Sequence, residues 1–405
     1  MTRKMKDSGI EWIGEIPEDW EVVPTKYLFE TNKKIVGSNE KHFDRLALTL
    51  KGVLKRDKNS IDGLQPTNFT SYQILEKDQL VFKLIDLQNI STSRVGISPY
   101  RGIVSPAYII LSHSRNKVNP KYYYYWFMNM YNYNIFNLLG DTGVRSNISS
   151  SELLKIQVPS PNSKIQNNIV RFLDKKTKQI EDIKNKISKE IENLENYKKS
   201  VITEAVTKGL DKNVEMKDSG IEWIGEIPKH WKTPAAKYHI NIFNGSDPKK
   251  DGEIPVYGSG DEIFKYSEEF KIGPAVLLGR KGTIENPKFI IGKYWNVDTA
   301  FNVECKKTLN LKFYFYLAKI FDYRKYITST ALPSMTKEHY QNMRIPYPNL
   351  IEQKNIVDYL DNKMYLIDDS IAIKQKQLET LEEYKKSLIY DYVTGKKEVN
   401  DGEES

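Results

Sequence analysis

The segment Pro274-Ala-Val-Leu-Leu-Gly-Arg-Lys-Gly-Thr283 runs an apolar, strand-like stretch into a Gly-flanked turn that presents Arg280 and Lys281 side by side. In the other half of the chain, Gly143-Val-Arg-Ser-Asn147 offers Arg145, Ser146 and Asn147 in a polar run. These residue types suit the reading of a nucleic-acid duplex. Arg bonds bidentately to guanine, Asn or Gln to adenine, and Lys or a backbone N–H anchors phosphate. Each motif alone is also what a solvated basic turn looks like. Catalytic chemistry is poorly supplied. Gly-x4-Gly-Lys-Ser/Thr is absent, so Arg280-Lys281 is no phosphate-gripping loop. There is no Asp/Asn-Pro-Pro-aromatic motif of adenine methyltransferases and no Gly-rich cofactor fingerprint ahead of a helix. No Ser/His/Asp or paired-carboxylate constellation emerges.

Composition narrows the choice further. The single Cys, Cys305, excludes an intrachain disulfide framework and any Cys-cluster zinc or iron–sulfur site. The five His (His42, His113, His230, His239, His339) show no metal-ligand spacing. Lys and Arg number 61 against 53 Asp and Glu, a formal charge of +8, which is compatible with a polyanion partner without requiring one. No run reaches the ~18–20 apolar residues of a membrane span. Nothing apolar follows the basic residues of Met1–Gly9, so a secretory leader is not expected. A soluble cytoplasmic protein is the expectation. The 405 residues correspond to about two to four domains.

The elements that would position these loops are set by a repeat. Residues 5–20 (MKDSGIEWIGEIPEDW) and 216–231 (MKDSGIEWIGEIPKHW) match at fourteen of sixteen positions with an offset of 211. A second repeat, offset by 187, aligns Gln166–Asp174 with Gln353–Asp361, Tyr197–Ser200 with Tyr384–Ser387, and Pro159-Ser-Pro161 with Pro346-Tyr-Pro348. The chain is therefore two copies of one plan: opening motif, variable body, proline exit, long helix. The first body is about 24 residues longer than the second. Plain drift after duplication would spread differences evenly, whereas here the frames agree and the bodies diverge.

Ser163-x-x-Gln166 and Asn349-x-x-Glu352 have the form of capping boxes directly after the proline exits. Apolar residues then recur three or four apart at Ile169, Leu173, Ile180, Ile183, Ile187, Leu194, Tyr197 and Val201. The second copy runs Ile356, Leu360, Met364, Ile367, Ile371, Leu378, Leu381, Tyr384 and Leu388. Gly209 and Gly395 stand where these helices would stop. About 40–45 residues give a rod of roughly 60–70 Å. One narrow apolar stripe on so long a helix needs a coiled-coil partner, and two such helices suggest mutual pairing. Glu190, Lys374 and Gln377 fall at or beside the seam, so an irregular pairing is expected. A dimerisation handle is the other reading of such helices.

The bodies carry strand-like stretches at Arg45–Leu50, Gln79–Lys83 and Ala107–Leu111. Six consecutive aromatics, Tyr122–Phe127, are a candidate base-stacking platform. Asn119-Pro120 opens that segment like a helix, and Asn310–Leu317 follows the same plan, which favours a core helix in both bodies. Asp78–Asn89, followed by Arg94, is the counterpart of Pro274–Thr283. Strands mixed with a few helices imply an α/β (α+β) body with a twisted sheet.

In this order and twice over, these features resemble the specificity subunit of Type I restriction–modification systems across nearly the whole chain. The resemblance rests on the duplicated Ser-Gly-Ile-Glu-Trp-Ile-Gly-Glu-Ile-Pro (8–17, 219–228), the paired helical repeats, Leu80-Val-Phe82, Gly279–Thr283 and the Pro-x-Pro exits. It implies two homologous target recognition domains with mixed sheets, related by an internal pseudo-two-fold repeat. The long helices would form an antiparallel coiled coil that fixes the gap between two half-sites of asymmetric double-stranded DNA. The expected boundaries are 1–160 (motif 5–20), helix 161–210, 211–347 (motif 216–231), helix 348–396 and an acidic tail, 397–405. As partners the resemblance implies two modification subunits, which methylate adenine with S-adenosylmethionine, and two restriction subunits, ATP-driven translocases and nucleases requiring Mg. This chain would itself be non-catalytic and hold no cofactor or metal. DNA contacts are expected at Lys83, Gln88, Asn89, Arg94, Arg145, Ser146 and Asn147 in the first body. In the second they are expected at Asn244, Ser259, Arg280, Lys281, Ser334 and Thr336. Trp12 and Trp223 are expected to pack the opening motif onto the helices. The competing readings are a coiled-coil scaffold without sequence-specific DNA binding, and an enzyme with a divergent methyltransferase or nuclease site in one body.

Overall fold

The duplicated opening motif folds the same way in both halves of the computed structural model, which describes residues 3–58, 68–87, 94–113, 118–140, 147–326 and 333–399. β1 (Met5–Asp7) and β2 (Glu15–Pro17) pair antiparallel, as do Met216–Asp218 and Glu226–Pro228. The chain divides into two units, Met1–Lys186 with Gln377–Ser405, and Ile187–Lys376.

In the first unit the strands that follow are β3 (Glu21–Pro24), β4 (Phe29–Glu30), β5 (Arg45–Thr49), β6 (Gly52–Arg56), β7 (Gln73–Leu75), β8 (Leu80–Phe82), β9 (Val95–Ile97), β10 (Gly102–Val104) and β11 (Ile109–His113). Then come α1 (Pro120–Asn132), α2 (Ile135–Leu139), α3 (Ser150–Lys155), β12 (Gln157–Ser160) and the long α4 (Ser163–Lys208). Two four-stranded sheets form, ordered β6-β5-β10-β7 and β4-β11-β8-β9. The β5–β10 pair is parallel and the others are antiparallel. Leu80 and Phe82 point into the cluster that contains the α1 aromatics, while Val81 points the other way, against Leu46 and Leu48. Period-two alternation thus buries β8 on both faces, the physical reason for its unbroken apolar run. The order of layers is helix, sheet, sheet.

Asn119 caps α1 by accepting from Lys121 N at 2.9 Å, with Pro120 in the first turn. The helix buries Tyr122, Tyr123, Tyr125, Trp126 and Phe127. The aromatic run is therefore core, with Phe127 edge-on to Phe82 at 5.0 Å, and not a base-stacking platform.

The second unit repeats the plan of the opening hairpin and both four-stranded sheets, with isolated bridges, Lys232–Tyr347 and Ala235–Arg344, where the first unit has the β3–β12 pair. After β13 (Met216–Asp218) and β14 (Glu226–Pro228) come β15 (Ile240–Asn244), β16 (Ile254–Tyr257), β17 (Ile263–Ser267), β18 (Lys271–Ile272), β19 (Ala275–Gly279), β20 (Lys288–Ile290), β21 (Lys293–Asn296) and β22 (Ala300–Cys305). α5 (Leu311–Ala318), α6 (Lys337–Asn342) and the long α7 (Leu350–Val393) complete it. The sheets are ordered β17-β16-β21-β18 and β15-β22-β19-β20, again with one parallel pair, β16–β21. β19 is buried throughout, Val276 and Leu278 on one face, Ala275 and Leu277 on the other.

Asn349 caps α7 as its sequence suggests, accepting from Ile351 N and Glu352 N at 3.0 Å, but the cap of α4 differs from the sequence expectation. Asn162, not Ser163, caps α4, accepting from Ile165 N at 3.0 Å. Gln166 does not close a capping box. Its amide oxygen accepts from Asn119 N at 2.9 Å and its amide nitrogen donates to Pro161 O at 2.8 Å. Gln353 does the same with Asn310 N at 2.7 Å and Pro348 O at 2.9 Å. Each glutamine is buried and pins the start of a long helix to the capping residue of a core helix. One turn and more onward, Asp174 accepts from Tyr125 Oη and Lys121 Nζ, both at 2.7 Å. Asp361 accepts from Tyr316 Oη and Lys312 Nζ at the same distances. Replacing Asp174 with alanine is expected to destabilise the first unit by about 1–3 kcal/mol, because the buried phenol loses its strongest acceptor. The part-exposed lysine pair contributes less than about 1 kcal/mol of that. Asp174→Asn should recover most of the loss in denaturant unfolding; equal losses in both variants would contradict this division.

Within each unit the two long helices run antiparallel. Lys385–Glu181 (2.7 Å) and Lys184–Glu382 (2.5 Å) bridge them in the first unit, and Lys374–Glu190 and Lys198–Asp368 (2.5 Å) in the second. The apolar seam is narrower than the periodicity suggested. Ile180, Val201, Ile367 and Ile371 are buried, but Ile183, Tyr197 and Tyr384 are about half exposed. Two helices cover only a single stripe of each other, so residues one step off it remain in water. Each unit closes its long helix onto an opening motif. Gly395 (φ +73°) ends α7 where a Cβ would lie 2.5 Å from Pro17, and Gly209 (φ +75°) follows α4 where one would lie 3.1 Å from Trp231. Trp12 packs on Trp126 of α1 (5.0 Å) and Trp223 on Phe321 (5.9 Å), each against a core cluster that also holds residues of a long helix.

Candidate nucleic-acid interface

In the second unit the strand register collects the candidate residues at one end of one sheet. β22 is flanked by β15 and β19, with Asn244 opposite Phe301 and Gly279 opposite Ala300. The chain leaves β19 as Arg280-Lys281-Gly282, and Gly282 at φ +82° allows the tight turn. Arg280 N donates to Thr299 O at 2.8 Å, Gly282 N to Pro333 O at 2.9 Å and Met335 N to Arg280 O at 2.9 Å. Lys281 forms an isolated antiparallel bridge with Ser334. Ser259 Oγ donates to Lys281 O at 2.5 Å. Thr336 caps α6, its hydroxyl accepting from His339 N at 3.1 Å. Asn244, Ser259, Arg280, Lys281, Ser334 and Thr336 thus come from four separate segments into one loop cluster.

Their chemical availability differs. Lys281, Asn244 and Thr336 are exposed. Ser259 is 8% exposed and its hydroxyl proton is committed to the loop, so it holds Lys281 more than it reaches outward. The Arg280 guanidinium is a third exposed, 3.5 Å from an Asp298 carboxylate oxygen and 5.9 Å from the Phe301 ring. Asp298 holds the arginine fork in place and can itself accept from a cytosine amino group. Sequence reading missed Asp298 and Thr299, which lie in a turn without any motif; only the strand register brings them to Arg280.

The first unit builds the corresponding corner from β8 and β11. Lys83 follows β8 directly and donates its backbone N–H to Arg94 O at 2.9 Å, while Ile148 N donates to Leu84 O at 3.0 Å. Lys83 and Asn147 are therefore brought together, and Asn147 is exposed. Gln88, Asn89, Arg145 and Ser146 lie outside the described residues. Arg94 departs from expectation. It is 2% exposed, and its guanidinium donates to Asp86 O at 3.2 Å and to Leu87 O. Burial lowers its pKa from the ordinary guanidinium value. Arg94 is an internal brace of the loop after β8, not a group offered to DNA, because loop carbonyls inside the fold claim its donors.

Among the described residues no three His, Cys, Asp or Glu side chains come together as a metal site, and no helix is long and apolar enough to cross a membrane. Burial pushes the Cys305 thiol up to about 12, which keeps it protonated and unreactive near neutral pH.

Known proteins share both the sequence pattern and the fold. Residues 17–193 and 238–383 match the family described as Type I restriction modification DNA specificity domain. The chain is 26% identical, over 95% of its own length and 95% of the relative's, to a protein assigned as the type I restriction enzyme MjaX specificity subunit of Methanocaldococcus jannaschii. It is 24% identical, over 94% of this chain and 93% of the relative, to the type I restriction enzyme MjaVIII specificity subunit of the same organism. A chain solved in work on complex assembly and conformational transition of the type I R-M system has the same fold, with a TM-score of 0.71 over 94% of this chain and 99% of that one at 12% identity. The two family matches fall on the two copies of one strand plan and together cover most of the chain: the chain belongs to the Type I restriction–modification DNA specificity family and carries two of its target recognition domains.

Proposed function

We propose that each recognition domain reads one half of a bipartite, asymmetric site in double-stranded DNA, and that the paired long helices set the unread gap between the halves. The chain directs adenine methylation and restriction that partner subunits carry out: two modification subunits with S-adenosylmethionine, and two restriction subunits with ATP and Mg, working in the cytoplasm. It holds none of those cofactors itself. The observation that carries this reading is the placement of sequence-divergent loops at the same end of equivalent strands, β8 and β19, within otherwise identical sheet orders. Drift without function has no reason to concentrate difference there. The proposed contacts are Lys83, Gln88, Asn89, Arg145, Ser146 and Asn147 in the first domain. In the second they are Asn244, Arg280, Lys281, Ser334 and Thr336, with Ser259 supporting the loop.

A scaffold without DNA specificity would not need these clamped loops, and the family match opposes it. Arg280 supplies the test. If its fork reads a guanine, Arg280→Ala costs about 1–3 kcal/mol and relaxes one base position in one half-site. Binding by the chain with its modification subunits, measured on duplexes varied one position at a time, checks this. Uniform weakening on every sequence, with a smaller salt slope, would assign Arg280 to phosphate instead.

A further inference from the structure

Each domain rests its reading corner on a cation that points inward, and the two cations sit at the same end of equivalent strands, two ladder steps apart. Val95 pairs opposite Phe82 in the first domain and Lys288 opposite Leu277, the counterpart of Val81, in the second, so β20 begins one ladder step further along than β9. Arg94 immediately precedes β9, and Lys288 opens β20. Arg94 gives its guanidinium donors to Asp86 O and Leu87 O, the turn that follows Lys83 and Leu84. Asn137 Nδ2 donates to the same Leu87 O at 2.9 Å. Lys288 Nζ donates to Gly258 O at 3.2 Å and Ser259 O at 3.0 Å. Ser259 passes that restraint on through its 2.5 Å hydroxyl bond to Lys281 O. The chain of contacts in the second domain is thus ammonium, turn, hydroxyl, reading loop.

We infer that Arg94 and Lys288 are positioning residues for DNA reading, each tying turn carbonyls from inside and so fixing where its domain's loop meets the bases. The inference rests on the proposed reading of these loops as DNA contacts. Its physical basis is that both side chains carry donors only and turn carbonyls only accept, so one cation satisfies two carbonyls with charge-assisted bonds. An apolar residue in its place removes these bonds, leaving Leu87 O with Asn137 alone and taking the ammonium from Gly258 O and Ser259 O. Reading groups must be held within about 0.5 Å of their working geometry, which loops achieve only when supported from behind. Burial lowers the pKa of both cations, opposed by the nearby Asp86 carboxylate for Arg94 and Asp261 for Lys288.

The test uses the full chain with its modification subunits and duplex libraries randomised at each half-site. Lys288→Met is expected to lose roughly tenfold discrimination at the second domain's half-site and to leave the other half-site unchanged. The dependence of binding on salt should stay the same, since no phosphate contact is lost. Arg94→Met should mirror this on the first half-site, with Arg94→Lys recovering part of the discrimination. Uniform weakening with a reduced salt slope would overturn the inference by making these cations phosphate ligands. Unchanged discrimination in Lys288→Met, beside a relaxed Arg280→Ala, would overturn it while sparing the reading site. If Arg280→Ala also changes no position, the reading site itself fails. Should hydrogen exchange show β19 and β20 unfolded in Lys288→Met, Ser259→Ala, which removes only the hydroxyl link, must give the same one-sided relaxation; its absence would overturn the inference.

Discussion

Replacing Trp231 with alanine is expected to destabilise the second unit by about 3–5 kcal/mol, and Trp20→Ala to do the same to the first. Both indoles are 1% exposed. Trp231 lies in the cluster that holds Val201, Ile202, Ala205 and Val206 of α4, and Trp20 in the one that holds Leu388, Ile389, Tyr392 and Val393 of α7. Each tryptophan therefore joins an opening motif to the end of a long helix, and truncation leaves a cavity that rigid neighbours cannot fill. Domain stabilities of about 5–15 kcal/mol make such a loss large. Trp231 Nε1 donates to Glu352 Oε1 at 3.3 Å, whereas Trp20 Nε1 has no acceptor among the described residues. Trp20→Phe should accordingly cost less than Trp231→Phe, since it removes a buried donor that is unsatisfied. Hydrogen exchange resolved along the chain, followed through denaturant, checks both statements. Loss of protection in the same unit for both alanine variants, or less than 1 kcal/mol for either, would contradict them.

What the residues revealed in advance depended on whether the information was local. The repeated opening motif, the Asn-initiated aromatic helices and the pairing of long helices are written in periodicity and caps, and the structure has all of them. β8 and β19 were legible as buried strands because an apolar run of that length, ending at a turn, has few other uses. Tertiary direction was not legible. Gln166 has the spacing of a capping-box residue, yet its partner is the capping residue of α1, 47 positions away, and Gln353 likewise binds the capping residue of α5, 43 positions away. Arg94 and Lys288 look like any surface cation, and carbonyls supplied by chain turns draw them inward, in the case of Lys288 from 30 residues away. Ser259 has the residue type of a base contact, but the strand register spends its proton on Lys281 O. Conversely, the exposed Ile183, Tyr197 and Tyr384 kept an apolar spacing that the narrow helix pair does not cover.

The reach of these local clamps bears on modularity. The reading loops are held almost wholly by residues of their own domain: Thr299, Pro333 and Ser259 for Arg280–Gly282, and Arg94 and Ile148 for Lys83–Leu84. A domain that carries its own supports can be exchanged with its specificity intact, provided the seams with the long helix survive. Those seams are the Gln166 and Asp174 contacts to Asn119, Lys121 and Tyr125, so a donor body should keep these partner types. Under that condition the exchange of residues 21–160 for the first body of another family member transfers one reader and nothing else.

Mapping methylated adenines across the genome of cells that carry the modification subunits, with this chain, without it, and with residues 21–160 exchanged, tests the central claim most directly. The account predicts one bipartite motif that vanishes without the chain, and that after the exchange changes in one half only, with the other half and the gap retained. A methylation pattern that is unaltered by loss of the chain, or an exchange that alters both halves, would contradict it.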